Sequence, residues 1–191
     1  MENGSALSDV FAAIVEKSSA SVVRVEARRR SPSSGIVWSS DGLVITAQHA
    51  VERDEEIEVG FFDGRTAEAK LVGRDACSDV ALLRVAATDL EVPSWSTAEP
   101  KVGHLVLSVA RPGRTARASM GIVSAVSGEW RSPAGGRLER YLQTDIALQP
   151  GFSGSLLVDA RGNALGMTPR ACCAGTASPC RPRRFAAWPR P

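Results

Sequence analysis

Gly151-Phe152-Ser153-Gly154-Ser155 sets a serine in a glycine turn, with Tyr141-Leu142-Gln143-Thr144 before it and Leu156-Leu157-Val158 after it. Alone, the stretch says little, because glycine and serine crowd together in any turn-rich protein. Two segments upstream change its reading. Thr46-Ala47-Gln48-His49 ends an apolar run that starts at Leu43, and Ser78-Asp79 opens the run Val80-Ala81-Leu82-Leu83. A serine hydroxyl becomes a useful nucleophile when an imidazole takes its proton, and the imidazole works best when a carboxylate fixes its tautomer. His49, Asp79 and Ser153 supply those groups in that chain order, each at a strand end or turn, where a rigid sheet presents side chains to a cleft. Gly151 can turn its N–H inward beside that of Ser153, giving two donors for the oxyanion of a tetrahedral intermediate.

The rest of the chain suits such a site. Short runs rich in Val, Ile and Leu are bounded by Gly, Asp, Ser and Pro; Ser21–Glu26, Ile57–Phe62 and Leu105–Val109 are examples, and they predict strands. Strands spaced by turns, with little helix, predict β-barrels. One helix is predicted near the start, where Leu7, Val10, Phe11, Ile14 and Val15 share a face and Ser5 would cap it. A length of 191 residues with 43% hydrophobic content suits one domain or two small barrels sharing a cleft. The apolar runs fall far short of the ~20 residues that span a bilayer, so no membrane partner is expected. The polar start Met1-Glu2-Asn3-Gly4-Ser5 does not read as an export signal, and the expected compartment is cytoplasmic unless the true start lies upstream.

Several motifs resemble one family. Ser34-Gly35-Ile36-Val37-Trp38 and Asp41–Val51, then Val72-Gly73-Arg74-Asp75 leading to Ser78–Leu83, are similar to the first barrel of HtrA-type (DegP/DegS-like) serine proteases. Gly121-Ile122-Val123-Ser124, Gln143–Ala147 and Pro150–Gly154 resemble the second barrel. The resemblance covers about Ser21 to Gly166. It departs at Phe152, where the family usually has Asn, and at Ser155, where a second Gly is usual. It implies an all-β, chymotrypsin-like fold of two six-stranded antiparallel barrels. The residues themselves divide the chain into a helical segment over 1–20, a first barrel over 21–85, a connection over 86–101 marked by Pro93 and Pro100, and a second barrel over 102–170. The resemblance also implies an endopeptidase that cleaves unfolded proteins through an acyl-enzyme, with catalytic His49, Asp79 and Ser153, an oxyanion hole at Gly151 and Ser153, and polypeptide substrates. No metal and no cofactor enter that chemistry, and oligomer formation stays open. Ile146, Ala147 and Leu148 would line the substrate pocket; the position six before Ser153, which sets the pocket floor in this fold, is the uncharged Ala147. Cleavage after small or medium aliphatic residues is expected.

The last stretch, 171–191, differs in kind. It has no acidic residue, four arginines, four prolines and three of the four cysteines, whereas the other 170 residues carry 19 Lys+Arg against all 21 Asp+Glu. The formal charge of +2 therefore arises in the tail. Basic tails can bind nucleic acid, and Cys172, Cys173 and Cys180 can be read as metal ligands, but the cysteines lack CxxC spacing and no groove-reading element is present, so neither partner is expected. Read from the third base of each back-translated codon, the tail can yield a Leu-Leu-Arg-Gly strand and a Val-Pro-Ala-Glu segment resembling the family's domain end. This points to an out-of-frame, disordered tail. The second barrel would then have an open edge, and the alternative function is a truncated, inactive domain that binds peptides. Elsewhere, His104 reads as a surface histidine, Arg28–Arg30 as a solvated loop and Cys77 as a lone thiol. Trp38, Trp95 and Trp130 read as packing residues. Asp145 reads as a bond to local backbone, with a pocket-floor charge as the alternative.

Overall fold

Apolar side chains on both faces of three consecutive strands decide how this chain is arranged. The computed structural model describes residues 2–29, 31–128, 130–131, 137–138, 141–168 and 184–186. After helix α1 (Glu2–Ser19) come β1 (Val22–Glu26), β2 (Ser33–Ser39), β3 (Leu43–Ala47), β4 (Ile57–Gly60), β5 (Thr66–Asp75) and β6 (Val80–Val85). They form a closed antiparallel barrel in the order β1-β2-β3-β6-β5-β4, and β4 returns to β1 with Val59 opposite Val25. Successive side chains point to opposite faces. Val23, Val25, Val37 and Val44 therefore fill this barrel with Val59 and Leu83, while Val22, Ile36 and Ile45 leave through its wall. Those three are buried too, which explains why these strands read as near-continuous apolar runs.

What covers the outward face is the second barrel. β7 (Leu105–Ala110) and β8 (Arg117–Ser127) lead to a small hairpin, β9 (Trp130–Arg131) with β10 (Arg137–Leu138), followed by β11 (Tyr141–Thr144), β12 (Leu156–Asp159), β13 (Ala164–Met167) and β14 (Arg184–Ala186). The ring runs β11-β14-β13-β12-β7-β8 and closes where β8 pairs β11. Leu107, Val109, Leu156 and Val158 meet Val22, Ile36 and Ile45 in the layer between the barrels, while Val106, Val123, Leu142 and Leu157 fill the second interior. The two-barrel all-β fold expected from the sequence is thus present. Where an open edge was expected, β14 stands; it pairs three residues with β11 but only Ala186 with β13, opposite Met167. A ladder needs only backbone N–H and C=O groups, so a sequence without a strand-like pattern can still complete it. Three residues of the stretch expected to be disordered are therefore strand, and this is the thinnest join of the ring. The remainder of the tail, with Cys172, Cys173 and Cys180, lies outside the described residues, as does the side chain of Trp130.

Helix α1 packs Phe11, Ile14 and Val15 onto the layer between the barrels. Leu7 and Val10, expected on the same buried face, are 53% and 49% exposed. Ser5 is not the cap: the helix already starts at Glu2, and a cap residue must have non-helical backbone angles. The connection is stitched rather than loose. Ala164 N–H donates to the Ser94 carbonyl (2.8 Å) and Ser96 N–H to the Ala164 carbonyl (2.9 Å), while Trp95 meets Trp38 edge-on with centroids 5.4 Å apart. No helix among the described residues is long and apolar enough to cross a membrane.

One charged side chain joins these parts. Arg111, just after β7, is 4% exposed. Its Nε donates to the Val22 carbonyl (2.8 Å), Nη1 to Arg114 (2.8 Å) and Nη2 to Ser19 (3.0 Å). Burial lowers its pKa below that of a free guanidinium, and the carbonyl dipoles satisfy its donors. Arg111→Met would strand those carbonyls between helix, first barrel and second barrel. Given about 1–3 kcal/mol for an unsatisfied buried group, urea unfolding should show about 3 kcal/mol less stability at unchanged m.

Candidate active site

β3 ends at Ala47 and a single 3-10 turn, Gln48–Ala50, lifts His49 off the first barrel. The turn is tied to the neighbouring loop, because Gln48 N–H donates to the Asp79 carbonyl (3.0 Å) and His49 N–H to Asp79 Oδ1 (3.0 Å). Asp79 has φ +58°, in the left-handed region. Aspartate tolerates that region better than most residues, and the strain amounts to about 1–2 kcal/mol. Asp75 builds the approach: its carboxylate accepts from Ser78 Oγ (2.5 Å) and from Cys77 N–H (2.9 Å). The Ser78 hydroxyl first, then that amide, lower the Asp75 pKa.

From the second barrel comes Ser153, 4% exposed. The structure brings the three sequence-predicted residues together. His49 Nδ1 lies 2.8 Å from Asp79 Oδ2, and His49 Nε2 lies 3.0 Å from Ser153 Oγ. A carboxylate can only accept, so Nδ1 carries the ring proton and Nε2 faces the Ser153 hydroxyl with its lone pair. The arrangement can move the serine proton onto imidazole while Asp79 steadies the resulting charge.

The loop around Ser153 explains both glycines. Gly151 has φ +88°, and a Cβ there would overlap Pro112. Gly154 has φ +80°, and a Cβ there would overlap the Ser34 carbonyl and stand 2.7 Å from Thr46 Oγ1. The loop also needs three supports that sequence reasoning missed. Ser34 Oγ on β2 donates to the Gly151 carbonyl (2.8 Å) and accepts from Arg111 N–H (2.8 Å), and Ser34 N–H donates to the Ser153 carbonyl (2.9 Å). Thr46 Oγ1 in turn donates to the Ser34 carbonyl (2.7 Å). Only a contact between barrels gives Ser34 its role, and Ser33-Ser34-Gly35 carries no local signal of it.

The two departures from the family pattern have partners of their own. Phe152 is fully buried among Val123, Leu142, Ile146, Leu148 and Leu157, an apolar anchor beside the nucleophile. Ser155 Oγ is 2.7 Å from Ser108 Oγ on β7, and each hydroxyl satisfies the other. Of the expected pocket residues, Ile146 and Leu148 are buried in that core and Ala147 is exposed. Asp145 bonds backbone, though not the local turn: Oδ1 accepts from Ile122 N–H (2.7 Å) on β8, 23 residues away in sequence. His104 is exposed and its Nδ1 accepts from Lys101 N–H (3.2 Å).

Residues 33–167 match the trypsin-like peptidase domain family. A probable periplasmic serine endoprotease, DegP-like, of Halomonas elongata is 38% identical over 141 residues, covering 73% of this chain and 29% of that protein. The serine endoprotease DegS of Haemophilus influenzae is 32% identical over 137 residues, covering 71% of this chain and 40% of the relative. The chain thus spans about a third of the length of these relatives. The crystal structure of Deg5 superposes with a TM-score of 0.75 at 26% identity over 85% of each chain.

The burial of Phe152 makes a separable prediction. Phe152→Ala should destabilise by about 3–5 kcal/mol and slow modification of Ser153 by a serine-directed probe even where the protein is folded. Phe152→Leu should lose less than half of that stability and recover most of the reactivity. Equal reactivity of both variants with wild type would remove the anchor's role.

Proposed function

The chain belongs to the trypsin-like peptidase domain family, in its HtrA-type branch, and on that premise we propose that it is a serine endopeptidase. The observation that carries this reading is the continuous line of contacts from Asp79 through His49 to Ser153, at 2.8 and 3.0 Å. Ser153 Oγ attacks the substrate carbonyl carbon as His49 Nε2 takes its proton, and Asp79 stabilises the imidazolium. The N–H groups of Gly151 and Ser153 receive the oxyanion. Collapse breaks the C–N bond, His49 returns the proton to the leaving amine, and water then hydrolyses the acyl ester with His49 as base.

The substrates we propose are unfolded polypeptides cut after small or medium aliphatic residues. Ala147, the exposed one of the three residues expected in the pocket, would offer an uncharged seat, while Ile146 and Leu148 face the core and do not line it. Such a seat separates side chains by only about 1–3 kcal/mol per methylene, so preference should be broad. The name of the Halomonas relative places it in the periplasm; the cytoplasmic expectation finds no support there, and we assign this chain outside the cytoplasm by the same likeness.

A fluorophosphonate probe and a casein-like substrate test the proposal together. Wild type should be labelled at Ser153 and should hydrolyse the protein. Ser153→Ala and His49→Ala should each lose activity on the order of 10⁶-fold, and Asp79→Asn on the order of 10⁴-fold while folded. Retained hydrolysis by Ser153→Ala would overturn the assignment, and silence of a folded wild type would favour the inactive, peptide-binding alternative.

A further inference from the structure

Two loops converge on one flank of Gly151. Pro112, between β7 and β8, fills the place where a Cβ on Gly151 would stand, and the Pro32 carbonyl, between β1 and β2, lies 3.4 Å from that place. Besides the buried Arg111, residues 27–32 and 111–116 hold four arginines and no acidic residue. Beside the second loop is a cavity of about 330 Å³ that draws on both barrels, with Arg24, Phe61, Gly64, Arg65, Gly113 and Arg114 in its lining. Two of its three cations are already matched. Arg24 pairs with Glu26 (2.9 Å) and Glu58 (3.2 Å), and Arg65 pairs with Asp63 (2.6 Å) while lying 5.8 Å from the Phe61 ring centroid. Arg114 is exposed and has no carboxylate within ion-pair distance among the described residues.

On the endopeptidase reading, with the acyl side of a substrate seated at Ala147, its leaving side would pass these loops beside Gly151. Arg114 follows Pro112 by two residues, a span of at most about 7 Å. An extended substrate advances about 3.3 Å per residue, so side chains a few residues past the bond come within reach of a guanidinium there. Resting on the endopeptidase reading, we propose that this arginine-lined cavity is a leaving-side subsite for acidic side chains, with Arg114 as its specificity-determining cation and the second to fourth residues after the cut as those it reads. Glu26, Glu58 and Asp63 hold Arg24 and Arg65 in place, while Arg114 stays open for a substrate carboxylate.

Matched internally quenched peptides, identical except for Glu or Lys at those three positions, test this. Wild type should cleave the Glu peptide with kcat/KM about threefold to tenfold above the Lys peptide at low salt, and the ratio should shrink toward one at about 0.5 M salt. Arg114→Glu should invert the ratio and Arg114→Lys should preserve its sign. The same pair should be ranked in the same way by fluorescence anisotropy on Ser153→Ala. Cleavage without preference, or a ratio unmoved by Arg114→Glu, would overturn the subsite and leave the endopeptidase reading standing. If wild type cleaves neither peptide and takes no probe at Ser153, the endopeptidase reading fails, and the anisotropy ranking alone decides whether the cavity reads acidic chains.

Discussion

The hydroxyl of Ser34 is the point at which the two barrels become one site. It donates to the Gly151 carbonyl and accepts from Arg111 N–H, while the backbone N–H of the same residue holds the Ser153 carbonyl. His49 and Asp79 ride on the first barrel and Ser153 on the second, so a shift of an ångström between barrels would break the 3.0 Å contact between imidazole and hydroxyl. Apolar packing between the barrels supplies adhesion, but it is non-directional and sets no such register. Directional bonds to buried backbone do, and Arg111 extends them to Ser19 at the end of α1 and to Val22 on β1.

Local strain collects around this point. Asp79 is held at positive φ, and Gly151 and Gly154 take conformations that a side chain would oppose. Such conformations persist where the surroundings over-determine them. Here the determinants are the amides of Gln48 and His49 on Asp79, and Pro112, Ser34 and Thr46 on the two glycines. Phe152 adds an anchor of a different kind, since a fully buried aromatic ring fixes the loop by filling space rather than by bonding. The nucleophile loop is thereby fastened on one side by hydrogen bonds to the first barrel and on the other by the second barrel's core.

Much of this could be read along the chain, because strands, catalytic residue types and glycine turns leave local marks. The apolar runs at Val22–Val25, Leu43–Ala47 and Leu105–Val109 are strands, and His49, Asp79 and Ser153 meet. What escaped reading depends on pairs far apart in sequence. Ser34 and Gly151 are 117 residues apart, and nothing near either announces the other. Arg111 looks like any surface arginine until its three carbonyl partners are seen. Phe152 and Ser155 stood out as departures, but that each is compensated, by the second core and by Ser108, follows only from packing. At Ser5 the local capping signal was overridden, since α1 continues through it to Glu2. At β14 an unfavourable side-chain pattern gave way to a backbone ladder.

The central claim, that Ser34 sets the reactive geometry across the barrel interface, is tested most directly by Ser34→Ala. Removing the hydroxyl leaves the backbone bond to Ser153 and the apolar layer intact, so the protein should remain folded with a loss of about 1–3 kcal/mol. The rate of Ser153 modification by a fluorophosphonate at saturating probe should fall by at least about tenfold, with the half-saturating concentration little changed, because orientation rather than binding is lost. A folded Ser34→Ala protein that reacts at the wild-type rate would contradict the account.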